Sequence, residues 1–211
     1  MVRQIITGFF IVFILAVQPG SAITIRHDTP DSSYTHLANS THPQGGLISG
    51  SGWIGSGTLI SPNWILTAGH VLSGNISFST AAGTRSIVEQ HRHSSWGDIG
   101  VGKLSSPLTG INPVPLYDLD FGIEDRQEAI VLGAGNTGTG NSGQQGGTGG
   151  TRRAAETYIH ANGDAWGWGN QKLLTLFRKP SAGAQPLEGG GAQGDSGGAV
   201  LLNVAGTYAI A

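Results

Sequence analysis

Short stretches of apolar, β-branched and aromatic residues recur along most of this chain, each bounded by turn-forming residues. That is the pattern of strands rather than of helices. Gly57-Thr58-Leu59-Ile60 and Trp64-Ile65-Leu66-Thr67-Ala68 flank the turn Ser61-Pro62-Asn63 and predict two joined strands. Further strands are expected over Ser86–Glu89, Ile99–Leu104, Ala129–Leu132, Leu173–Phe177 and Ala199–Leu202. The segment Pro107–Pro115 is proline-rich and aperiodic, so it reads as a crossover between two halves, with the boundary near Pro113. From Gly133 to Gly150 the chain holds little besides Gly, Thr, Asn, Ser and Gln. Such a composition cannot bury a core and predicts a mobile surface loop, with a loop bordering a substrate cleft as the functional alternative. A phosphate-cradling loop is a third reading, against which no Gly-Lys-Ser/Thr follows and no dinucleotide fingerprint sits between a strand and a helix.

The first 22 residues follow another pattern. Arg3 precedes the apolar run Ile5–Val17, and Pro19-Gly20-Ser21-Ala22 supplies small residues, as expected of a secretory signal peptide cleaved after Ala22. The run is 13 residues long, short of the ~20 a membrane-spanning helix needs. Residues 1–22 are thus read as the signal, 23–113 as the N-terminal half and 114–211 as the C-terminal half. The protein is expected outside the cell, or in the periplasm of a Gram-negative host, without a stable membrane anchor after signal removal. It has no cysteine, so stability must come from burial and hydrogen bonding alone.

Composition narrows the class. With 211 residues and 38% hydrophobic content the chain can bury a real core, and 36 glycines favour short strands and turns, so an all-β fold is expected. Charged residues make up only 11%, and the 11 Lys and Arg form no stripe. Nucleic acid is therefore excluded as a partner.

The chemistry-bearing segment is Gly194-Asp195-Ser196-Gly197-Gly198, where glycines leave a serine hydroxyl open and let backbone N–H groups converge on an oxyanion. A serine needs a base within reach and a third group to hold that base in one tautomer. His70 is the one histidine at the end of an apolar strand; His27, His36, His42 and His160 read as surface or satisfied core residues. His91 and His93 alternate on a strand and could share a metal, but no third ligand is near, and chance surface placement is the simpler reading. Asp98 begins a strand of apolar and glycine residues, so its carboxylate is expected to be buried as an orienting acid. Asp118 and Asp120 lie in a polar stretch and read as solvated.

Thr67-Ala68-Gly69-His70, Asp98-Ile99 and Gly194-Asp195-Ser196-Gly197-Gly198 resemble, in the same order, the three signature blocks of trypsin-like serine proteases. The resemblance implies two antiparallel β-barrels with the active site in the cleft between them, His70 and Asp98 on the first and Ser196 on the second. It implies a serine endopeptidase acting on protein or peptide substrates, without cofactor or metal, as a monomer. His70 would be the general base, Asp98 its orienter and the backbone N–H groups of Gly194 and Ser196 the oxyanion hole, the roles of the general Ser-His-Asp template. It further suggests that an Ile23 α-ammonium pairs with Asp195, and that Gly190 lies at the base of the specificity pocket. Departures are Val71, where many animal members carry cysteine, and a chain end at Ala211, 15 residues after Ser196. That end leads us to expect an incomplete second barrel and, as the alternative function, an impaired or inert homologue acting as a secreted binding module. An α/β-hydrolase esterase is excluded, since it needs its nucleophile on a strand-turn-helix and the order Ser, Asp, His.

Overall fold

A computed structural model describes residues 23–94, 97–117, 126–162 and 173–211. The expected signal peptide, Trp96, Asp118 and Asp120 lie outside the described residues. Strands dominate, as the short apolar stretches require. After β1 (Thr24–Ile25), α1 (Asp31–His36) and a π-helical turn over Leu37–Thr41 come six strands: β2 (Gly45–Ser49), β3 (Ile54–Ser61), β4 (Trp64–Ala68), β5 (Ser77–Thr80), β6 (Gly83–Arg92) and β7 (Ile99–Leu104). They close into a barrel in the order β2-β3-β4-β7-β6-β5. Period-two alternation turns one face of each strand inward. Ile48, Leu59, Ile65, Phe78, Ile87 and Leu104 fill the interior.

The second half contains β8 (Gln127–Gly133), β9 (Thr137–Thr139), β10 (Gly143–Gln145), β11 (Arg153–Asn162), β12 (Leu173–Thr175), β13 (Gly189–Gly190), β14 (Val200–Val204) and β15 (Thr207–Ile210). Five of them form a sheet in the order β12-β11-β8-β14-β15, and a smaller sheet runs β10-β9-β1-β13. Ile130, Leu132, Ala154, Leu201 and Ile210 make the second core, with Ile60 and Leu66 of the first barrel packed against it. Along the crossover, Leu108 and Ile111 belong to the first core and Val114 to the second.

Two expectations need correction. Residues 23–42, assigned by sequence to the N-terminal half, pack on the second one. Thr24 of β1 pairs with both Gly190 and Gly138, Tyr34 is buried beside Ile23, Ile25 and Ala155, and Arg153 grips Asp31 with two hydrogen bonds of 2.6 and 2.9 Å. Part of the glycine-rich stretch is ordered sheet rather than mobile loop. Gly143–Gln145 pairs with Thr137–Thr139, and a Cβ on Gly138 would lie 1.9 Å from the Gly143 carbonyl oxygen. Glycine there permits a close backbone approach, which composition alone reads as looseness.

His42, just ahead of β2, is 1% exposed. Its ring meets Tyr208 edge-on at 4.6 Å between centroids, and neither ring nitrogen has a hydrogen-bond partner. Burial favours the neutral ring and brings its pKa down to about 4. Because that value lies below the ordinary 6.5, the unfolded chain takes up the proton first as pH falls. The His42 contribution is lost as pH drops from about 6.5 towards 4, so the urea stability of wild-type protein relative to His42→Leu should fall over that window.

Candidate active site

The site grows from the rim of the first barrel. β4 and β7 pair with Ala68 opposite Ile99, so the turn Gly69–Val71 and the residue ahead of β7 emerge side by side. Gly69 N–H donates to the Asp98 carbonyl at 3.0 Å, and His70 N–H donates to Asp98 Oδ1 at 2.7 Å. The ring follows: His70 Nδ1 hydrogen-bonds Asp98 Oδ2. With Nδ1 donating to a carboxylate, Nε2 is left as the acceptor, the tautomer a general base needs. The hydrogen bond from His70 holds the Asp98 carboxyl below the usual carboxylate range.

Asp98 is not buried as expected, and its side chain is 56% exposed. A cleft of about 320 Å³, lined in part by Leu66, Ile99, Leu173, Ala199, Val200 and Ile210, opens beside it. A carboxylate at a barrel rim is covered only if a neighbouring segment crosses it, and strand patterning cannot report that.

Ser196 reaches the cleft from the second half. His70, Ser196, Gly194 and Gln193 line a common space of about 450 Å³ with Trp53 and Ile54. Among the described residues no hydrogen bond joins Ser196 Oγ to His70 Nε2, a contact that often tightens only around substrate. The turn that carries Ser196 is held by its carbonyls. Gln193 C=O accepts from Asn136 N–H at 3.0 Å, Asp195 C=O from Gly198 N–H at 2.7 Å and Ser196 C=O from Ser56 N–H at 2.8 Å. Gly194, at φ +92°, has its carbonyl bound by Ser56 Oγ at 2.9 Å. Each bonded carbonyl turns the N–H of the same peptide the other way, so the N–H groups of Gly194 and Ser196 face away from these anchors. Two N–H groups that have no acceptor among the described residues, in a turn beside a hydroxyl, can hold an oxyanion.

A family model described as Trypsin matches residues 34–210. The chain belongs to the trypsin family. No curated protein matches it. Among solved structures it is similar to neuropsin, a serine protease expressed in the limbic system of mouse brain, at 19% identity, with 83% of this chain and 82% of that chain covered and a TM-score of 0.62. At that identity the likeness concerns the fold: this is the all-β, two-barrel fold of trypsin-like serine proteases, reached here without a cysteine.

Other candidate residues cluster behind the turn. Gly190 lies in β13, where an added Cβ would come within 3.3 Å of the Phe177 side chain. Next to this strand, Glu188 is fully buried. Burial alone would raise its pKa, but the Arg178 guanidinium and the N–H groups of Gln185 and Arg178 hold it below the ordinary carboxylate value. Asp195 accepts from Gly135 N–H at 3.1 Å and Ala192 N–H at 3.0 Å, yet burial still pushes its carboxyl up to about 7. Ile23 is buried, and its carbonyl accepts from Thr137 Oγ1 at 3.1 Å. Thr24, the next residue, pairs with Gly190, while the donors to Asp195 are Gly135, two residues before Thr137, and Ala192, two residues after Gly190. Sequence reading missed Ser56, Asn136, Arg178 and Glu188. Their signal was faint, since each is a polar residue without a motif, and Ser56 and Asn136 act through partners 138 and 57 positions away.

Gly197 is the least replaceable residue of the turn. It has φ +84°, and a Cβ would lie 2.1 Å from Thr67 Oγ1 and 2.4 Å from the Ser56 carbonyl oxygen. Gly197→Ala is expected to lower the unfolding free energy by about 2–4 kcal/mol, strain and clash combined, as chemical denaturation would measure.

Proposed function

We propose that this member of the trypsin family is a secreted serine endopeptidase that cleaves protein or peptide substrates through an acyl-enzyme. The observation that supports it best is that His70, hydrogen-bonded to Asp98, lines the same space as Ser196. In this reading Ser196 Oγ attacks the scissile carbonyl while His70 Nε2 takes its proton. Asp98 keeps the ring in that tautomer and stabilises the imidazolium. The N–H groups of Gly194 and Ser196 receive the oxyanion, His70 returns the proton to the leaving amine, and water then hydrolyses the ester by the same route. Gly190 leaves no carboxylate at the base of the specificity pocket, so basic side chains have no counter-ion there. The enzyme acts as a monomer, without metal or cofactor. A second reading, a weakly active or inert homologue that serves as a binding module, draws on the exposure of Asp98, since water competes for the carboxylate that must orient His70.

A fluorophosphonate probe separates the two readings, labelling wild-type protein but not Ser196→Ala if the first holds. Peptide hydrolysis should fall with His70→Ala and Ser196→Ala, and the double variant should be hardly worse than either, because such groups act as a unit. Asp98→Asn should cost roughly 10⁴ in kcat. Full activity in that variant would remove Asp98 from the mechanism.

Activation follows from Asp195. A carboxyl raised to about 7 by burial favours the fold at low pH, and that stability is lost as pH rises from the unfolded carboxylate value through 7. An α-ammonium on Ile23, released by cleavage after Ala22, would add a positive charge to the weak one Arg153 already exerts. Protein beginning at Ile23 should therefore resist denaturant at pH 8 better than protein with one extra residue ahead of it, and turn over faster. Asp195→Asn should erase both differences. N-terminal sequencing of secreted active enzyme that begins well past Ile23 would rule this out.

A further inference from the structure

We infer that Ser56 is a positioning residue for the oxyanion hole, clamping the Gly194 turn from across the domain interface. The inference rests on the reading of Ser196 as nucleophile. Ser56 lies in β3 of the first barrel, opposite Leu47 of β2, and is 1% exposed. Its hydroxyl is fully committed. It donates to the Gly194 carbonyl at 2.9 Å and accepts from Ala134 N–H at 2.9 Å, so the direction of its proton is fixed from both sides. Its backbone N–H donates to the Ser196 carbonyl at 2.8 Å. Its own carbonyl accepts from Thr67 Oγ1 at 2.7 Å, three residues before His70. One residue thus touches both the turn that bears the nucleophile and the strand that leads to the base.

The peptide planes show why the side chain matters. The two oxyanion donors belong to the peptides Gln193–Gly194 and Asp195–Ser196, whose carbonyls are held by Asn136 and Gly198 within the second half. Between them lies the peptide Gly194–Asp195. Its N–H donates to the Ala192 carbonyl at 3.0 Å, and its carbonyl is held by Ser56 Oγ. Gly194 has no Cβ to resist rotation, so a swing of this middle plane would swing both donors with it. A hydrogen bond from the first barrel stops that swing. Misplacement of a donor by a fraction of an ångström weakens an interaction made chiefly in the transition state, so the loss falls on kcat rather than on substrate affinity.

The test compares wild type, Ser56→Ala and Ser56→Cys, the last nearly isosteric but a weak donor, each normalised by fluorophosphonate titration of competent sites. Both variants should show kcat reduced about ten- to a hundredfold, with KM within about twofold of wild type. Affinity for a peptide boronate that mimics the tetrahedral state should fall in parallel with kcat. The pH dependence of kcat should keep its acid limb, because His70 is untouched. Wild-type kcat per titrated site in either folded variant overturns the inference, as does a loss confined to thermal stability or to KM. Should Ser56→Ala fail to fold, Ser56→Cys decides by the same criteria. Hydrogen exchange at the Ala134 amide, which should lose protection in the variants, reads the clamp without turnover. Inert wild type with intact Ala134 protection lost in the variants would sink the protease reading and with it the catalytic role of Ser56, whereas active wild type with unimpaired variants sinks the clamp alone.

Discussion

The turn from Gly194 to Gly198 is held between the two halves with backbone pressed against backbone, and the rest of the site depends on that contact. A Cβ on Gly198 would stand 2.0 Å from the Leu132 carbonyl oxygen, and one on Gly197 would strike Thr67 and the Ser56 carbonyl. No larger residue permits the approach, so the glycines bring Ser196 into line with a strand of the first barrel. Once the approach is made, four successive carbonyls, Gln193 to Ser196, find donors in Asn136, Ser56 and Gly198. Buried carbonyls must be satisfied, and satisfying these ones orients the amides on the opposite edges. Packing and chemistry here are one geometry.

Charge is distributed around the turn with different degrees of compensation. Glu188 is fully buried yet matched by Arg178, whose guanidinium also lies 5.0 Å from the centroid of Tyr158. Asp195 has backbone donors and no ion-pair partner among the described residues; the Arg153 charge lowers its pKa, but burial outweighs it and leaves it raised. A buried ion pair that is complete fixes structure, whereas a buried carboxyl without a cation is a place where an incoming positive charge changes the energy of the turn. Asp98 stands apart from both, exposed and held by His70. Its low pKa comes from a hydrogen bond in contact with water, which orients a ring but is screened in strength.

The N-terminal segment connects these sites. By inserting β1 between β9 and β13, it joins the glycine-rich hairpin to the strand bearing Gly190. The hairpin in turn hands Gly135 to Asp195 and Asn136 to Gln193. A segment that looked like filler therefore holds the turn that carries Ser196.

The sequence by itself determined what is encoded within a few residues. Trp64–Ala68 and Ile99–Leu104 are strands with the expected bounds, because alternation and β-branched residues act locally. The family was legible for the same reason: a histidine at a strand end and a serine among glycines are short patterns with little other use. Tertiary structure alone decided the matters that depend on contacts distant in the chain. It placed residues 23–42 on the second half, folded the glycine-rich stretch into a sheet, paired Glu188 with Arg178 and aimed Ser56 at Gly194, a residue 138 positions away. It also left Asp98 open to solvent, since whether a rim carboxylate is covered depends on which other segments pass over it. A residue's propensity is its own, but its burial and its hydrogen-bond partners belong to the whole fold.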